Sequence, residues 1–332
     1  MKPRVFVTRD IGREALEALG QETELELWPD EAPPSRERLR EKAAVVDGLL
    51  TTVDDWVDAG LFQSAPHLKV VSQMATGVDN IDLAAATRRG IPVGYTPGIL
   101  AKTTADLAFA LLLAAARRIQ EAGRWVRQGN WRVPFHPLSF LGRDVHGATL
   151  GIIGLGKIGL EVARRAQGFD MEVLYASRHR RRDEERRYGL RFVELPTLLR
   201  TADFVSLHVP LTPETHHLLG EAELRMMKST ALLVNTSRGP VVDQKALYRA
   251  LQEGWIAGAA LDVTEKEPIP PDDPLLSLQN LVITPHIGSA SVETRRRMAL
   301  LAVENLLAGL QGRRLTQCAN LEVYHSSEPT SS

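Results

Sequence analysis

The chain has 332 residues, of which 44% are hydrophobic and 24% are charged, and its formal net charge at pH 7 is −1. That length allows about two domains of ordinary size, and the near-neutral charge gives no general attraction to nucleic acid or to an anionic membrane. The single cysteine, Cys318, excludes an intramolecular disulfide and is typical of a reducing cytoplasm.

Short β-branched runs alternate with helical patterns from the start of the chain, which predicts parallel strands joined by crossover helices. The N-terminal run lacks the apolar region of a signal peptide. Asp82 is the expected N-cap of the third helix. In the first hundred residues the predicted strands are 5–8, 25–28, 46–51, 69–72 and 92–95, and the predicted helices are 13–19, 35–42 and 83–88.

A single long helix is predicted over 103–128, followed by a loop rich in Trp, Pro and His at 130–142. The most apolar part of that helix, 105–116, is shorter than the roughly 20 apolar residues that a membrane span needs. We therefore expect a cytoplasmic protein with no membrane partner and no nucleic-acid partner.

A second alternating series begins at 148–154, and a final helix is predicted over 292–310. A lone terminal helix buries little apolar surface by itself, so we expect it to pack on the first series. Further strands are predicted at 172–175, 204–207, 231–235, 257–261 and 281–283.

The predicted fold class is therefore α/β, with two Rossmann-like domains built on doubly wound parallel sheets. The expected substrate-binding domain is discontinuous, at 1–100 and 290–325, and the expected NADP-binding domain spans 101–289. Residues 326–332 are expected to form a disordered tail.

A glycine-rich loop follows the strand at 148–154 and begins a helical pattern, which is the setting of a dinucleotide-binding loop. Gly154 permits a tight turn, Gly156 lets the backbone approach a pyrophosphate, and Gly159 allows close packing of helix on strand. The amides at the start of the helix, at Lys157 and Ile158, are expected to bind the phosphates. The alternative is a purely structural turn, which the flanking strands disfavour.

The residues after the next strand select the form of the cofactor. NAD enzymes usually carry an acidic residue about 20 residues past the glycine loop, to bind the ribose 2′-hydroxyl. This chain has no acid there before Asp183. Ser177, Arg178 and Arg180 are instead suited to a 2′-phosphate, through charge-assisted hydrogen bonds. We expect NADP as the preferred cofactor, with NAD as the alternative, and the remaining arginines of this run as solvated charges.

Arg238, Glu267 and His286 each lie in a segment that is predicted to be a strand end followed by a turn. An arginine can hold a carboxylate by two parallel hydrogen bonds. A histidine can transfer a proton near neutral pH, and a carboxylate behind it can orient the ring and keep it charged. With a nicotinamide as hydride source, these three side chains predict reduction of a 2-keto acid. Glu265 is an alternative to Glu267 as the carboxylate that orients the histidine ring. The spacing of the histidines and acidic residues predicts no metal site.

With these motifs and the segments 75–82, 104–112, 151–159 and 208–212, the chain resembles the D-isomer-specific 2-hydroxyacid dehydrogenases, and within them the glyoxylate/hydroxypyruvate reductases, over nearly its whole length. The resemblance implies that Arg238 binds the substrate carboxylate and carbonyl oxygen. It implies that His286 donates the proton as hydride arrives, and that Glu267 raises the pKa of His286 by stabilising the imidazolium.

The resemblance also implies contacts outside the catalytic three. It implies a homodimer formed through the cofactor domain, with the helix and loop around 125–140 in the contact. The implied substrate contacts are Val53, Thr76, Gly77, Arg238 and Arg295. The implied further cofactor contacts are Thr104, Val209, Pro210, Thr215, Thr236, Ser237, Asp262 and Gly288.

The expected activity is NADPH-dependent reduction of glyoxylate or hydroxypyruvate to the D-2-hydroxy acid. The alternatives are a D-hydroxyacid or phosphoglycerate dehydrogenase with another substrate, a phosphite dehydrogenase, and a nucleotide-sensing co-repressor on the same fold. The N-terminal unit shows no basic phosphate-binding cluster, and Thr76 stands where related phosphite dehydrogenases carry a lysine. The presence of all three catalytic residues, without a nucleic-acid motif, disfavours a co-repressor.

Overall fold

The computed structural model describes residues 1–325, in which the chain divides into two compact units. One unit is formed by residues 1–100 with the segment from Ala290 onward, and the other by residues 101–289. The elements of residues 1–100 are β1 (Arg4–Val7), α1 (Arg13–Glu22), β2 (Glu24–Leu27), α2 (Arg36–Ala43), β3 (Gly48–Thr51), α3 (Ala59–Ser64), β4 (Val70–Gln73), α4 (Leu83–Arg88) and β5 (Val93–Gly94).

The elements that follow are α5 (Ala101–Ala116), α6 (Ile119–Arg127), β6 (Thr149–Ile153), α7 (Lys157–Ala166), β7 (Glu172–Ala176), α8 (Arg182–Tyr188), β8 (Arg191–Phe192), α9 (Leu195–Thr201), β9 (Phe204–Leu207), α10 (Glu221–Met226), β10 (Leu232–Asn235), α11 (Gln244–Gln252), β11 (Gly258–Leu261), β12 (Leu281–Ile283) and α12 (Val292–Leu310). The expected tail at 326–332 lies outside the described residues.

The first unit is a five-stranded parallel sheet with strand order β2-β1-β3-β4-β5. β3 and β4 are buried along their whole length, as expected for parallel strands covered on both faces. One face packs against α1 and α12, and the other packs against α2, α3 and α4. The core of the unit therefore has two layers, one on each side of the sheet.

The second unit is a seven-stranded parallel sheet with strand order β12-β11-β10-β9-β6-β7-β8. The chain runs outward from β6 through β7 to β8, then returns to β9 on the other side of β6. This reversal is the topological switch point where ligands bind in open α/β sheets, outside the carboxyl ends of the strands. Both sheets confirm the predicted fold class.

Most strands lie where the sequence predicts them, and the Asp82 side chain caps α4 by accepting a hydrogen bond from the Ala85 amide at 2.8 Å. The single long helix predicted over 103–128 is wrong. Its sequence forms α5 and α6, separated at Arg118, which has a left-handed φ of 53°. The Arg118 guanidinium binds both carboxylate oxygens of Glu121, at 2.7 and 2.8 Å. α5 is buried on the sheet, whereas α6 buries none of its residues within the chain, so the two helices have different environments.

Among the described residues, no helix combines the length and the apolar character that crossing a membrane requires.

Candidate active site

Arg238, Glu267 and His286 follow β10, β11 and β12 in turn. These three strands are neighbours in the second sheet and run parallel, so their carboxyl ends lie at one edge of the sheet. The order of the strands thus brings together three side chains that are up to 48 residues apart in the sequence (286 − 238).

His286 and Glu267 form an ion pair, with 2.7 Å between His286 Nδ1 and Glu267 Oε2. The other carboxylate oxygen of Glu267 accepts a hydrogen bond from the Thr264 amide at 3.0 Å, which fixes the orientation of the carboxylate. The hydrogen bond that Glu267 accepts from His286 raises the pKa of His286 above its ordinary value, although burial and the charge of Arg238 oppose it. With Nδ1 engaged by Glu267, Nε2 is the nitrogen that can exchange a proton with a substrate.

The competing carboxylate, Glu265, has different partners. Its Oε1 lies 2.8 Å from Nε2 of His217 and accepts a hydrogen bond from the Gln244 amide at 3.0 Å. Its own amide donates to Oε1 of Gln244 at 3.0 Å. The structure therefore places Glu267, and not Glu265, against His286.

Asp262, at the end of β11, supports the turn that carries His286. The His286 backbone has a left-handed φ of 53°, a conformation that a non-glycine residue retains only when its surroundings hold it. The His286 amide donates to the Asp262 carbonyl at 2.9 Å. The Oδ1 atom of Asp262 accepts hydrogen bonds from the Thr284 hydroxyl at 2.6 Å and the Ile287 amide at 2.8 Å. Burial raises the pKa of Asp262, and these hydrogen bonds oppose that shift.

The turn that carries Arg238 is held by Asn235, a fully buried residue that we did not predict to be important. Asn235 Oδ1 accepts hydrogen bonds from the Ser237 amide at 3.0 Å and the Ser237 hydroxyl at 2.8 Å, and its Nδ2 donates to the Arg238 carbonyl at 3.0 Å. The next residue, Gly239, must lack a side chain, because a Cβ there would lie 1.8 Å from the Thr264 carbonyl oxygen. An asparagine that ends a strand and is followed by a turn is the signal that could have identified this role.

The glycine-rich loop joins β6 to α7 at the switch point of the sheet. Gly154 has a φ of 96°, and a Cβ there would lie 2.7 Å from the carbonyl oxygen of His208. Gly156 has open space around its Cβ position and caps the helix whose first residues are Lys157 and Ile158. Free amides at a helix N-terminus beside open backbone form a site for phosphate groups.

Several other predicted cofactor contacts lie on the same unit. The Thr236 hydroxyl is buried and has no hydrogen-bond partner among the described residues, so it fits a polar group supplied by a ligand. A Cβ at Gly288 would lie 3.2 Å from Asp262 Oδ2 and 3.5 Å from Thr104 Oγ1, which puts these three residues together. These observations fit a bound nicotinamide dinucleotide.

The predicted contacts after β9 have local partners. The Thr215 hydroxyl donates to the Pro210 carbonyl at 2.6 Å and accepts from the Thr212 amide at 2.8 Å. These two hydrogen bonds hold the turn formed by residues 210–215. The Val209 side chain lies beside the glycine loop, because a Cβ at Gly154 would be 2.8 Å from Val209 Cγ1.

The three residues predicted to select NADP follow β7 but differ in their contacts. Ser177 donates its hydroxyl proton to the His179 carbonyl at 2.7 Å. Arg178 is exposed. Arg180 binds both oxygens of Glu185, each at 2.9 Å. Its hydrogen bonds, with one from Tyr175, lower the pKa of Glu185 to about 2. Arg178 is therefore the more available of the two arginines.

The predicted substrate contacts other than Arg238 lie in the first unit. Val53 follows β3, and Thr76 and Gly77 follow the adjacent strand β4, so all three belong to loops at the carboxyl edge of that sheet. The Thr76 hydroxyl donates to the Thr96 carbonyl at 3.0 Å. Arg295 is exposed in the first turn of α12.

The chain is similar to known proteins over nearly its whole length. A model of the D-isomer specific 2-hydroxyacid dehydrogenase NAD binding domain matches residues 109–288. The chain is 57% identical over 329 residues to a glyoxylate reductase of Korarchaeum cryptofilum, with 99% of each chain covered. It is 51% identical to a glyoxylate reductase of Thermococcus litoralis, covering 99% of this chain and 100% of the relative.

A solved relative shows the same likeness in three dimensions. The NADPH-dependent glyoxylate/hydroxypyruvate reductase of Sinorhizobium meliloti, in complex with NADP and malonate, is 34% identical with a TM-score of 0.82, covering 96% of this chain and 97% of that one. Together with the family match, these similarities show that the chain belongs to the D-isomer-specific 2-hydroxyacid dehydrogenases, a family of oxidoreductases.

Proposed function

We propose that this protein reduces glyoxylate or hydroxypyruvate to the corresponding 2-hydroxy acid, of D configuration where the product is chiral, with NADPH as the preferred cofactor. The observation that carries the proposal is the His286–Glu267 pair, 2.7 Å apart, at the sheet edge that also carries Arg238. The glyoxylate reductases to which the chain is 57% and 51% identical support the choice of substrate.

Each catalytic side chain has one role in this proposal. The reduced nicotinamide supplies the hydride when it is bound. Arg238 binds the substrate carboxylate and polarises the carbonyl through charge-assisted hydrogen bonds. His286 donates its Nε2 proton to the carbonyl oxygen, and in the reverse direction accepts it. Glu267 stabilises the imidazolium that must be present before each reduction.

The proposed binding residues are those that the sequence predicts. For the cofactor we propose the glycine loop, Thr236, Asp262 and the residues around them, with the NADP complex of the Sinorhizobium meliloti relative as support. For the substrate carboxylate we propose the backbone amides at Thr76 and Gly77.

A steady-state kinetic panel tests the proposal with glyoxylate, hydroxypyruvate, pyruvate and phosphite, each with NADPH and with NADH. We expect turnover of the first two substrates and none of phosphite. Because Ser177 and Arg178 replace the acid of NAD enzymes, kcat/KM should favour NADPH by at least about tenfold, or roughly 1.4 kcal/mol. Equal kcat/KM with the two cofactors would refute the cofactor assignment, and no keto-acid turnover would refute the activity.

Variants of the two arginines separate their contributions. Arg178→Ala should raise KM for NADPH and leave KM for NADH nearly unchanged. Arg180→Ala is the matched control: its guanidinium is already paired with Glu185, so we expect a smaller change in KM for NADPH. A larger effect at Arg180 than at Arg178 would show that the pair with Glu185 opens when the cofactor binds.

The segment 117–143 supports a homodimer. It contains α6, which buries none of its residues within the chain. Phe135 is 81% exposed, and a groove of about 700 Å³ runs beside α6 along the amino ends of β10, β11 and β12. An exposed apolar segment next to an open groove fits a second copy of the chain. The other large apolar side chains exposed on this segment are Ile119, Val126, Trp131, Val133, Leu138 and Leu141.

We expect light scattering during size-exclusion chromatography to give the wild type the mass of a dimer. The double variant Trp131→Ser/Phe135→Ser should shift it toward the monomer mass, because it removes two of the exposed aromatic side chains. Leu321→Ser, also at an exposed apolar residue but in the other unit, is the control and should remain dimeric. A monomeric wild type, or a double variant that stays dimeric, would contradict this interface.

A further inference from the structure

A pair of buried amides lies beneath the loops that follow β3 and β4. Gln73, the last residue of β4, is 0% exposed, and Asn80, in the loop beyond it, is 7% exposed. Gln73 Nε2 donates to Asn80 Oδ1 at 2.7 Å, and Asn80 Nδ2 donates to Gln73 Oε1 at 3.0 Å. Each side-chain amide therefore donates one hydrogen bond to the other and accepts one from it.

Each amide also binds the backbone of a loop. Gln73 Nε2 donates to the Gly77 carbonyl at 2.8 Å. Asn80 Nδ2 donates to the Asp55 carbonyl at 2.6 Å and the Thr52 carbonyl at 3.1 Å. The pair thus ties the loop after β3 to the loop after β4.

Further buried polar groups bind the same loops. The Asp55 side chain is buried, and its Oδ2 accepts hydrogen bonds from the Thr8 hydroxyl at 2.5 Å and from the Thr52 amide at 2.7 Å. The Thr51 hydroxyl donates to Gln73 Oε1 at 3.1 Å. A buried polar network of this kind adds rigidity and a unique geometry, whereas well-packed apolar residues are often as stabilising or more so. These hydrogen bonds hold the two loops in one arrangement.

The loops held by this network are those that carry Val53, Thr76 and Gly77. The hydrogen bond from Gln73 to the Gly77 carbonyl fixes the plane of the peptide that joins Gly77 to Val78. Because that plane ends at the Gly77 Cα, the bond also restrains the Gly77 amide on the other side of this atom. A binding site must hold its groups to within about 0.5 Å of the productive geometry. The network supplies such a constraint to the backbone of both loops.

We propose that Gln73 and Asn80 are positioning residues for the substrate carboxylate, which set the direction of the backbone amides in the loop after β4 without touching the substrate. The inference rests on the proposed function, because it takes the amides at Thr76 and Gly77 as carboxylate ligands.

Asn80→Ala tests this role because it removes the hydrogen bonds to Gln73, Thr52 and Asp55 together. We expect KM for glyoxylate to rise at least about tenfold, with kcat changed much less, since the lost interaction serves ground state and transition state alike. KM for NADPH should stay at the wild-type value. Gln73→Met, which keeps the length of the side chain but not its hydrogen bonds, should change KM for glyoxylate in the same direction.

Asn320→Ala is the matched control. Asn320 is also buried, at 2% exposure, lies in the same unit, and holds the backbone of a different segment through the Val93 amide at 2.8 Å and the Ile91 carbonyl at 3.0 Å. We expect both Asn320→Ala and Asn80→Ala to lower the melting temperature, because each removes buried hydrogen bonds. Asn320→Ala should leave KM for glyoxylate unchanged.

The outcomes separate the two proposals. A wild type that reduces no keto acid overturns the proposed function and this inference with it. An active wild type overturns the inference alone if neither Asn80→Ala nor Gln73→Met raises KM for glyoxylate above that of Asn320→Ala, or if KM for NADPH rises equally.

Discussion

His286→Ala is expected to lower kcat for glyoxylate reduction by at least about 10²-fold, because general acid catalysis by a positioned side chain contributes roughly 10²–10⁴-fold. His286 is the histidine whose Nδ1 is held by Glu267 at 2.7 Å, which leaves Nε2 to deliver the proton. Steady-state kinetics with saturating NADPH measures the loss. Fluorescence titration with NADPH should show unchanged binding, because the residue acts on the substrate oxygen.

His217→Ala is the matched control for that variant. His217 lies in the same unit and also has a carboxylate partner, with 2.8 Å between its Nε2 and Oε1 of Glu265. If the pairing of a histidine with a carboxylate were only structural, the two variants would lose similar activity. We expect His217→Ala to retain kcat within about twofold of the wild type; a His286→Ala enzyme that is equally active would rule out His286 as the proton donor.

Arg238→Lys is expected to lower kcat/KM for glyoxylate by about 10²-fold, or roughly 2.7 kcal/mol. Lysine keeps the positive charge but has no planar fork, so it cannot form the bidentate contact with a carboxylate. The turn around Arg238 is held by the Asn235 side chain, whose Nδ2 donates to the Arg238 carbonyl, and the substitution leaves this hydrogen bond in place. NADPH binding should therefore remain near the wild-type value while kcat/KM for the keto acid falls.

The control for Arg238 is Arg225→Lys, a substitution of the same kind in the same unit at a partly exposed ion pair with Glu221. Exposed ion pairs contribute about 0–1 kcal/mol, so we expect little change in kcat/KM. Near-normal KM and kcat in Arg238→Lys would mean that Arg238 does not bind the substrate carboxylate, and the assignment of the site would fail.

The sequence predicted the sheets well because their strands are short apolar runs bounded by turn residues. β9 and β12 occur at their predicted bounds, 204–207 and 281–283. β9 is buried along its whole length, as expected for an inner parallel strand, whereas β12 is the partly buried edge strand. It also predicted that Arg238 and His286 follow strand ends. That β10, β11 and β12 are neighbours depends on strand order, which local patterns do not contain.

Features that depend on side-chain contacts across the fold were harder to predict. Both Glu265 and Glu267 follow β11 closely, and only the path of the loop decides which of them meets His286. The break at Arg118 lies within a continuous helical pattern, because a single left-handed residue leaves no periodic signal. The amide pair of Gln73 and Asn80 joins two loops through side chains. Gln73 lies outside the segments that carry the resemblance, and Asn80 lies within the segment 75–82 but had no role assigned to it.

The most direct test of the account is the pH dependence of kcat/KM for glyoxylate reduction in the wild type and in Glu267→Gln. The hydrogen bond that Glu267 accepts from His286 raises the pKa of His286, so the imidazolium that donates the proton persists to higher pH in the wild type. Replacing Glu267 by glutamine lowers that pKa, and the profile of kcat/KM reports the free enzyme. We predict that the basic limb moves to lower pH in Glu267→Gln, with the acidic limb less affected. A basic limb at the same pH in both enzymes would contradict the assignment of His286, held charged by Glu267, as the proton donor.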